Sequence, residues 1–180
     1  MRVIAGERKG FRLDTPRGDE TRPTSDRVRE ALFSILGDVE GLAVLDAFAG
    51  SGALGIEALS RGARMADFCE TSTAALRVLR DNVERLGYAD RARVRRQDAR
   101  RRMAADHDAG ATYELILIDP PYRMLPALQK HFALHLPALL VPDGLVTIES
   151  AGAAGPLELP LAVETTRLHG DVRLTVYRNA

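Results

Sequence analysis

The sequence predicts an α/β fold: a mostly parallel, doubly wound sheet with one antiparallel strand. Three observations carry this. Four apolar, strand-like runs (residues 43–47, 64–70, 113–119 and 144–149) are separated by stretches with helical periodicity. A glycine loop, Gly50-Ser51-Gly52-Ala53-Leu54-Gly55, follows the first run directly and opens a helix. The chain then ends on two strand-like stretches, residues 161–168 and 172–177, around the turn His169-Gly170-Asp171.

Taken in order, residues 1–14 read as a small β-hairpin. Arg2 to Ala5 and Phe11 to Asp14 flank a turn with glycine at both ends, Gly6 and Gly10. A lone hairpin is marginal in water, so this one needs a surface to pack on or a partner. Residues 15–24 are polar, with Pro16, Gly18 and Pro23, and read as a loop. Thr24 or Ser25 caps a helix running to about Leu36, whose Val28, Ala31, Leu32 and Ile35 form one apolar stripe. Arg22, Arg27 and Arg29 form a candidate phosphate-facing set, although Arg29 reads better as part of a solvated helix face.

A helix then leads to Ser60 or Arg61, with Gly62 suited to its C-terminus. Residues 71–87 hold a helix stopped by Gly87. Residues 91–96 form a third strand, ending near Gln97-Asp98-Ala99, and residues 100–106 are helical. Leu125 to Leu140 is a helix bent or broken at Pro137, and residues 152–160 are a loop.

At 180 residues the chain is long enough for one domain with a substantial core. Its formal net charge is zero, which excludes a polycationic binder; basic character is local. Lys9 and Lys130 are the only lysines, so nearly every cation is an arginine, the side chain that pairs bidentately with phosphate. A GC-rich genome gives the same bias. Cys69 is the only cysteine, so no disulfide forms within the chain, which fits a reducing cytoplasm. No signal peptide or membrane-spanning run is visible, and no residue pattern calls for a metal.

The chemistry centres on the fourth strand. Leu115-Ile116-Leu117-Ile118 reads as a strand buried on both faces, and it stops at Asp119-Pro120-Pro121-Tyr122 because proline cannot donate to a ladder. Open α/β sheets bind ligands at this carboxyl edge. A carboxylate, rigid carbonyls and a flat ring there suit a planar, amine-bearing base.

The glycine loop, with Glu70 at the spacing of a ribose-binding acid, also matches a nicotinamide dehydrogenase. Asp46 weighs against that, because a carboxylate ahead of the glycines repels a pyrophosphate. It suits S-adenosylmethionine, which carries a sulfonium and an ammonium. On this reading Asp46 meets the ammonium, directly or through water. Gly50 and Gly52 let the backbone approach the cofactor, Glu70 takes the ribose hydroxyls and Asp98 accepts from the adenine amine. Phe48, Ser51, Thr71 and Ala99 complete the cofactor-binding set. Asp98 also reads as a plain N-cap.

The chain resembles the bacterial small-subunit ribosomal RNA guanine-N2 methyltransferases, the RsmD family. The resemblance covers nearly all of it and lies in Arg2-Val3-Ile4-Ala5-Gly6, Arg22 to Phe33, Leu45 to Ala63 and Asp119-Pro120-Pro121-Tyr122. Ser72 departs from the family, which often has an acid there. The resemblance implies a Rossmann-like class I S-adenosylmethionine-dependent methyltransferase sheet with an N-terminal hairpin extension and a C-terminal antiparallel hairpin. It implies transfer of methyl to the exocyclic N2 of one guanine in small-subunit (16S) ribosomal RNA, on an assembling 30S particle. Asp119, Pro120 and Tyr122 then form the catalytic set. The alternatives are an adenine-N6 methyltransferase, a non-catalytic RNA-binding module and the dehydrogenase.

The expected division is residues 1–24 as an RNA-contacting hairpin and loop, and residues 25–180 as the methyltransferase domain. RNA contact is assigned to Arg8, Lys9, Arg12, Arg17, Arg22, Thr24 and Arg27. A second arginine cluster, Arg91, Arg93, Arg95, Arg96, Arg100, Arg101 and Arg102, is a further candidate. Alternation puts Arg91, Arg93 and Arg95 on one strand face, where they also read as a solvated or edge-guarding row. Deleting residues 1–20 is expected to impair RNA methylation and spare cofactor binding.

Overall fold

A computed structural model of the chain describes residues 1–16 and 25–180. Arg17, Arg22 and Thr24 of the expected RNA-contacting set lie outside the described residues. The strands are β1 (Ala43–Asp46), β2 (Met65–Glu70), β3 (Ala92–Arg96), β4 (Tyr113–Ile118), β5 (Leu140–Ala151), β6 (Ala162–His169) and β7 (Val172–Arg178). They form one sheet in the order β3-β2-β1-β4-β5-β7-β6. β1 to β5 pair in parallel, and β7 lies antiparallel between β5 and β6.

Side-chain alternation along the strands divides the core in two. Val44, Phe68, Leu115 and Leu117 join the cluster under α1 (Asp26–Leu36), α2 (Ala53–Ser60) and α3 (Thr73–Arg85). Leu45, Cys69, Ile116, Ile118, Val146 and Ile148 join the cluster under α4 (Ala99–Asp108) and α5 (Leu125–Leu139). Helices therefore cover both faces, as long apolar parallel strands require. Ser25 caps α1 by accepting from the Val28 N–H at 3.2 Å. Ser72 caps α3 by accepting from the Ala75 N–H at 3.3 Å. Among the described residues, no helix is long and apolar enough to cross a membrane.

Helix α5 and strand β5 differ from the sequence reading. Pro137 lies inside α5 without ending it, and α5 runs straight into β5. The missing proline N–H falls in the last turn, and the Asn179 amide donates to the carbonyls of Pro137, Leu140 and Val141 at 3.2, 2.9 and 3.3 Å. The carbonyls that a helix end leaves orphaned are thus satisfied from another part of the chain. β5 consequently begins at Leu140, earlier than the expected Gly144. The Pro142-Asp143-Gly144 segment is absorbed as a bulge, with Asp143 at φ 63° and the register shifting between Tyr113 and Leu115.

The N-terminal hairpin exists as a single bridge, Arg2 to Arg12, rather than two strands. It is docked on the domain. Val3 and Leu13 are buried in the same core as α2 and α3. Glu57, buried on α2, accepts from the N–H of Ile4 at 2.8 Å and of Ala5 at 3.0 Å. Ser60 accepts from the Arg8 N–H at 3.0 Å and donates to the Ala5 carbonyl at 2.6 Å. At Gly6, φ is +79° and a Cβ would stand 1.7 Å from the Ser60 carbonyl oxygen, so only glycine permits the approach. Asn82 of α3 accepts from the Asp14 N–H and donates to the Asp14 carbonyl, both at 3.0 Å. Deleting residues 1–20 would therefore remove core side chains along with any RNA contact.

Arg29 is neither solvated nor phosphate-facing: it is fully buried. Its guanidinium donates to the Arg2 carbonyl and to Asp26, and its Nε lies 3.9 Å from Glu57. Burial lowers its pKa, with Glu57 and Asp26 opposing the fall. Glu57 also accepts from Arg61 Nε at 2.7 Å. One carboxylate thus ties the hairpin, α1 and α2 together. Removing one partner from a buried charge cluster costs about 3–5 kcal/mol. Glu57→Ala should therefore lose about that much stability in urea denaturation. A loss below about 1 kcal/mol, the scale of an exposed ion pair, would deny Glu57 this place.

Candidate active site

The parallel arrangement collects one acid from each of five neighbouring strands at a single sheet edge. In spatial order these are Asp98 just past β3, Glu70 ending β2, Asp46 ending β1, Asp119 just past β4, and Glu149 near the end of β5. Tight turns then carry the chain away from this edge. Ala49 N–H reaches the Cys69 carbonyl at 2.9 Å, and Gly52 N–H reaches the Ala49 carbonyl at 2.7 Å.

Asp46 is buried, at 1% exposure. One carboxylate oxygen accepts from the Gly55 N–H at 2.9 Å, while the other has no partner among the described residues. Burial pushes its pKa up to about 7, and the charges of Asp119 and Glu70 push in the same direction, against the N–H groups of Gly55 and Phe48. Such an acid, with an orphaned buried oxygen among like charges, is poised to take a cation.

The glycines divide the work. Gly50 has φ +54°, and a Cβ there would meet nothing within 4 Å, so its face is open to a ligand. Gly52 has φ +85°, and a Cβ would stand 2.2 Å from Leu79 Cδ1; its constraint is packing rather than cofactor approach. Gly55 packs its Cα face on Phe68, where a Cβ would come within 2.3 Å of the ring.

Glu70 is held by three backbone donors: Gly50 N–H at 2.9 Å on one oxygen, Thr71 and Ser72 N–H at 2.7 Å each on the other. A carboxylate has about four acceptor positions, so a further donor can still be received. Asp98 caps α4, accepting from the N–H of Arg100 at 3.0 Å and of Arg101 at 3.4 Å. These bonds and the Arg100 side chain hold its pKa below the usual range against burial. The N-cap reading of Asp98 is thus realised. Ser51 and Ala99 are buried beside these turns, and Phe48 is half-buried against the α4–α5 core. The structure brings all of the expected cofactor and catalytic residues to one edge.

After Asp119, Pro120 is buried and Tyr122 opens a short 3-10 turn, Tyr122–Met124. The Tyr122 hydroxyl donates to Glu149 at 2.9 Å. Sequence reasoning missed Glu149. The only available signal was an acid at the end of an apolar strand, like Asp46 and Glu70.

The expected RNA-contacting residues are scattered in environment. Lys9, Arg12 and Arg27 are exposed. Arg8 is half-buried, donating to the Leu86 carbonyl at 2.8 Å with its guanidinium 5.8 Å from the Tyr88 ring centroid. In the second cluster, Arg102 is buried in a network with Asp67, Asp106 and Tyr113 and has no phosphate-facing surface. Arg91 pairs with Glu7, and Arg100 pairs with Asp98. Arg95, Arg96 and Arg101 are exposed without an ion pair among the described residues. Among the described residues, no group of three or more His, Cys, Asp or Glu is placed to hold a metal ion.

The family profile described as Conserved hypothetical protein 95 matches residues 1–178. The chain is 34% identical to Ribosomal RNA small subunit methyltransferase D of Escherichia coli K12, over 99% of this chain and 89% of that protein. The solved structure of the Escherichia coli protein yhhF, described there as a methyltransferase, superposes with a TM-score of 0.85 at 33% identity, covering 99% and 97% of the two chains. A solved structure from Thermus thermophilus superposes at 0.82 and 31%, covering 98% of each chain. The donor set at the sheet edge fits S-adenosylmethionine: an orphaned buried carboxylate for the cation, an open glycine face and an acid one strand away. By its match from end to end, this chain belongs to the RsmD family of S-adenosylmethionine-dependent methyltransferases.

Proposed function

We infer that this protein methylates ribosomal RNA of the small subunit, at the exocyclic N2 of a guanine presented on a 30S assembly intermediate. The observation that carries the reading is the adjacency of two unlike sites across the β1–β4 pair. Asp46, suited to a cation, pairs in register with Leu117, two residues before Asp119. The name of the full-length relative supplies the RNA class.

S-adenosylmethionine supplies an electrophilic methyl group on its sulfonium. Asp46 would receive the ammonium, Glu70 the ribose hydroxyls and Asp98 the adenine amine, with Phe48, Gly50, Ser51, Thr71 and Ala99 as walls and Gly52 packing the loop behind them. An aryl amine is a poor nucleophile, because its lone pair is delocalised into the ring. Asp119 and the Pro120 carbonyl each accept one N–H of the target amine, which pyramidalises the nitrogen and frees the pair. Tyr122 stacks on the base, a contact worth about 1–3 kcal/mol for an unstacked base. The base must leave its own stack to arrive there. Holding both reactants in one geometry supplies much of the acceleration.

The hairpin and loop, residues 1–24, are the RNA-contacting part of this reading, with Lys9 and Arg12 as accessible members beside Arg8, Arg17, Arg22 and Thr24, joined by the exposed Arg27 of α1. Replacing Lys9, Arg12 and Arg27 together by alanine should weaken RNA binding across sequences. It should also reduce the salt slope of the binding constant by about 2, at roughly 0.7 per single-strand phosphate contact. An unchanged slope would move the footprint elsewhere.

Asp119→Ala should lower tritiated methyl transfer to small-subunit RNA by about 10²–10³-fold, the scale of one preorganised transition-state contact. Cofactor affinity by calorimetry should stay near wild type, since Asp119 is assigned to the target amine. Turnover close to wild type would remove Asp119 from the mechanism.

Asp46 sets a pH dependence. With its pKa pushed up to about 7, the carboxyl is protonated at about pH 6 and must ionise to pair with the ammonium. Affinity for S-adenosylmethionine should rise with pH through about 7, approaching tenfold per unit below that point. Asp46→Asn should bind more weakly with a flat profile. A wild-type profile that is flat from about pH 6 to 7.5, below the usual range of an α-amino group, would contradict the assignment.

A further inference from the structure

Glu149 is absent from every role assigned above. Its position follows from the sheet: Ile148 of β5 is the register partner of Ile118 of β4, and Glu149 and Asp119 each lie one residue further on. The two carboxylates therefore leave neighbouring parallel strands at the same level. Glu149 is 6% exposed, and its Oε1 accepts from the Tyr122 hydroxyl at 2.9 Å. A buried carboxylate is costly unless hydrogen-bonded, and a hydroxyl donated to it makes a strong, charge-assisted bond.

Tyr122 is half-buried against the α4–α5 core, and the bond to Glu149 adds a second fixed point at its hydroxyl. It stands on a 3-10 turn of three residues, directly after two prolines. That backbone fixes where the ring begins. It does not fix the tilt of the ring, because the torsion between Cβ and the ring is broad. A bond to the hydroxyl holds the far end as well, and two fixed ends define a plane.

We propose that Glu149 is a positioning residue of the target pocket: through the Tyr122 hydroxyl it sets the plane on which a flat purine lies with its amine against Asp119. The inference rests on reading Asp119 to Tyr122 as the target pocket. Reacting atoms must meet at roughly 3–3.5 Å, and a displacement of about 1 Å costs on the order of a hundredfold. A ring free to tilt would bring the amine to Asp119 in many orientations, few of them productive.

The test is a double-mutant cycle on Glu149 and Tyr122, read as kcat and KM for small-subunit RNA, with S-adenosylmethionine affinity from calorimetry as a second readout. Tyr122→Phe keeps the ring and loses the hydroxyl; it should lower kcat/KM about tenfold, the size of one hydrogen bond to a charged group. Glu149→Ala should do the same, and the double variant should fall no further. Glu149→Gln keeps an amide oxygen that can accept from the hydroxyl, so it should return to within about threefold of wild type. Cofactor affinity should not change in any of them. A double variant equal to the product of the singles would overturn the proposal, as would a Glu149→Gln as poor as Glu149→Ala or a Tyr122→Phe equal to wild type. Tyr122→Phe and Glu149→Gln conserve volume, so they decide the matter even where Glu149→Ala does not fold. An inactive wild type sinks the pocket reading and this inference together; an active wild type with independent variants sinks this inference alone.

Discussion

Burying the Asp46 carboxylate is the constraint on which the site depends. A carboxylate at 1% exposure, with the Gly55 N–H at 2.9 Å on one oxygen, is held in an unfavourable state, and burial raises its pKa to about 7 against the Gly55 and Phe48 N–H groups. The surrounding chain is shaped to keep it there. Gly55 must be glycine because its Cα face lies against the Phe68 ring, and Gly52 must be glycine because the loop turns left-handed against Leu79. The loop that results leaves Gly50 open and brings its N–H to Glu70 at 2.9 Å. One unfavourable burial thus fixes the loop, the start of α2 and the distance to the neighbouring acid. Strain of this kind at a site, compensated elsewhere in the fold, is a mark of function.

The compensation lies on the outer face of α2. The helix that begins at the glycine loop carries Glu57 and Ser60, which bind the N-terminal hairpin. The hairpin in turn covers the core with Val3 and Leu13. The hairpin, which also bonds to Asn82 of α3, and the glycine loop are therefore both attached to one eight-residue helix. This gives the hairpin a fixed orientation relative to the sheet edge, which suits the role proposed for it, presenting RNA to the pocket. The zero net charge of the chain fits the same proposal, in which attraction for RNA is local rather than spread over the whole surface.

The sheet, its antiparallel closing strand and the acids at β1 to β4 were legible in the sequence, because each depends on a few neighbouring residues. A strand ends in an acid, a glycine loop follows, a proline stops a ladder. Arg29 was not legible. One apolar stripe placed it on a solvated face, whereas the docked hairpin covers that face and buries it between Asp26 and Glu57. Arg102, offered only within a further candidate cluster, is buried for the same reason, since its partners Asp67 and Tyr113 lie on β2 and β4. The straight passage from α5 into β5 depends on Asn179, about forty residues away in the chain. Glu149 gains meaning only from the β4–β5 register. What sequence reasoning lost in each case was a partner supplied by tertiary structure.

The central claim is that one edge of the sheet joins a cation-binding acid to an amine-binding acid for methylation of a guanine. Its most direct measurement is the identity of the product. The protein is incubated with tritiated S-adenosylmethionine and small-subunit particles lacking the modification, the RNA is digested, and the labelled nucleoside is separated against standards. The account predicts label in N2-methylguanosine. Label in N6-methyladenosine, or none in RNA while the protein binds the cofactor, would contradict it.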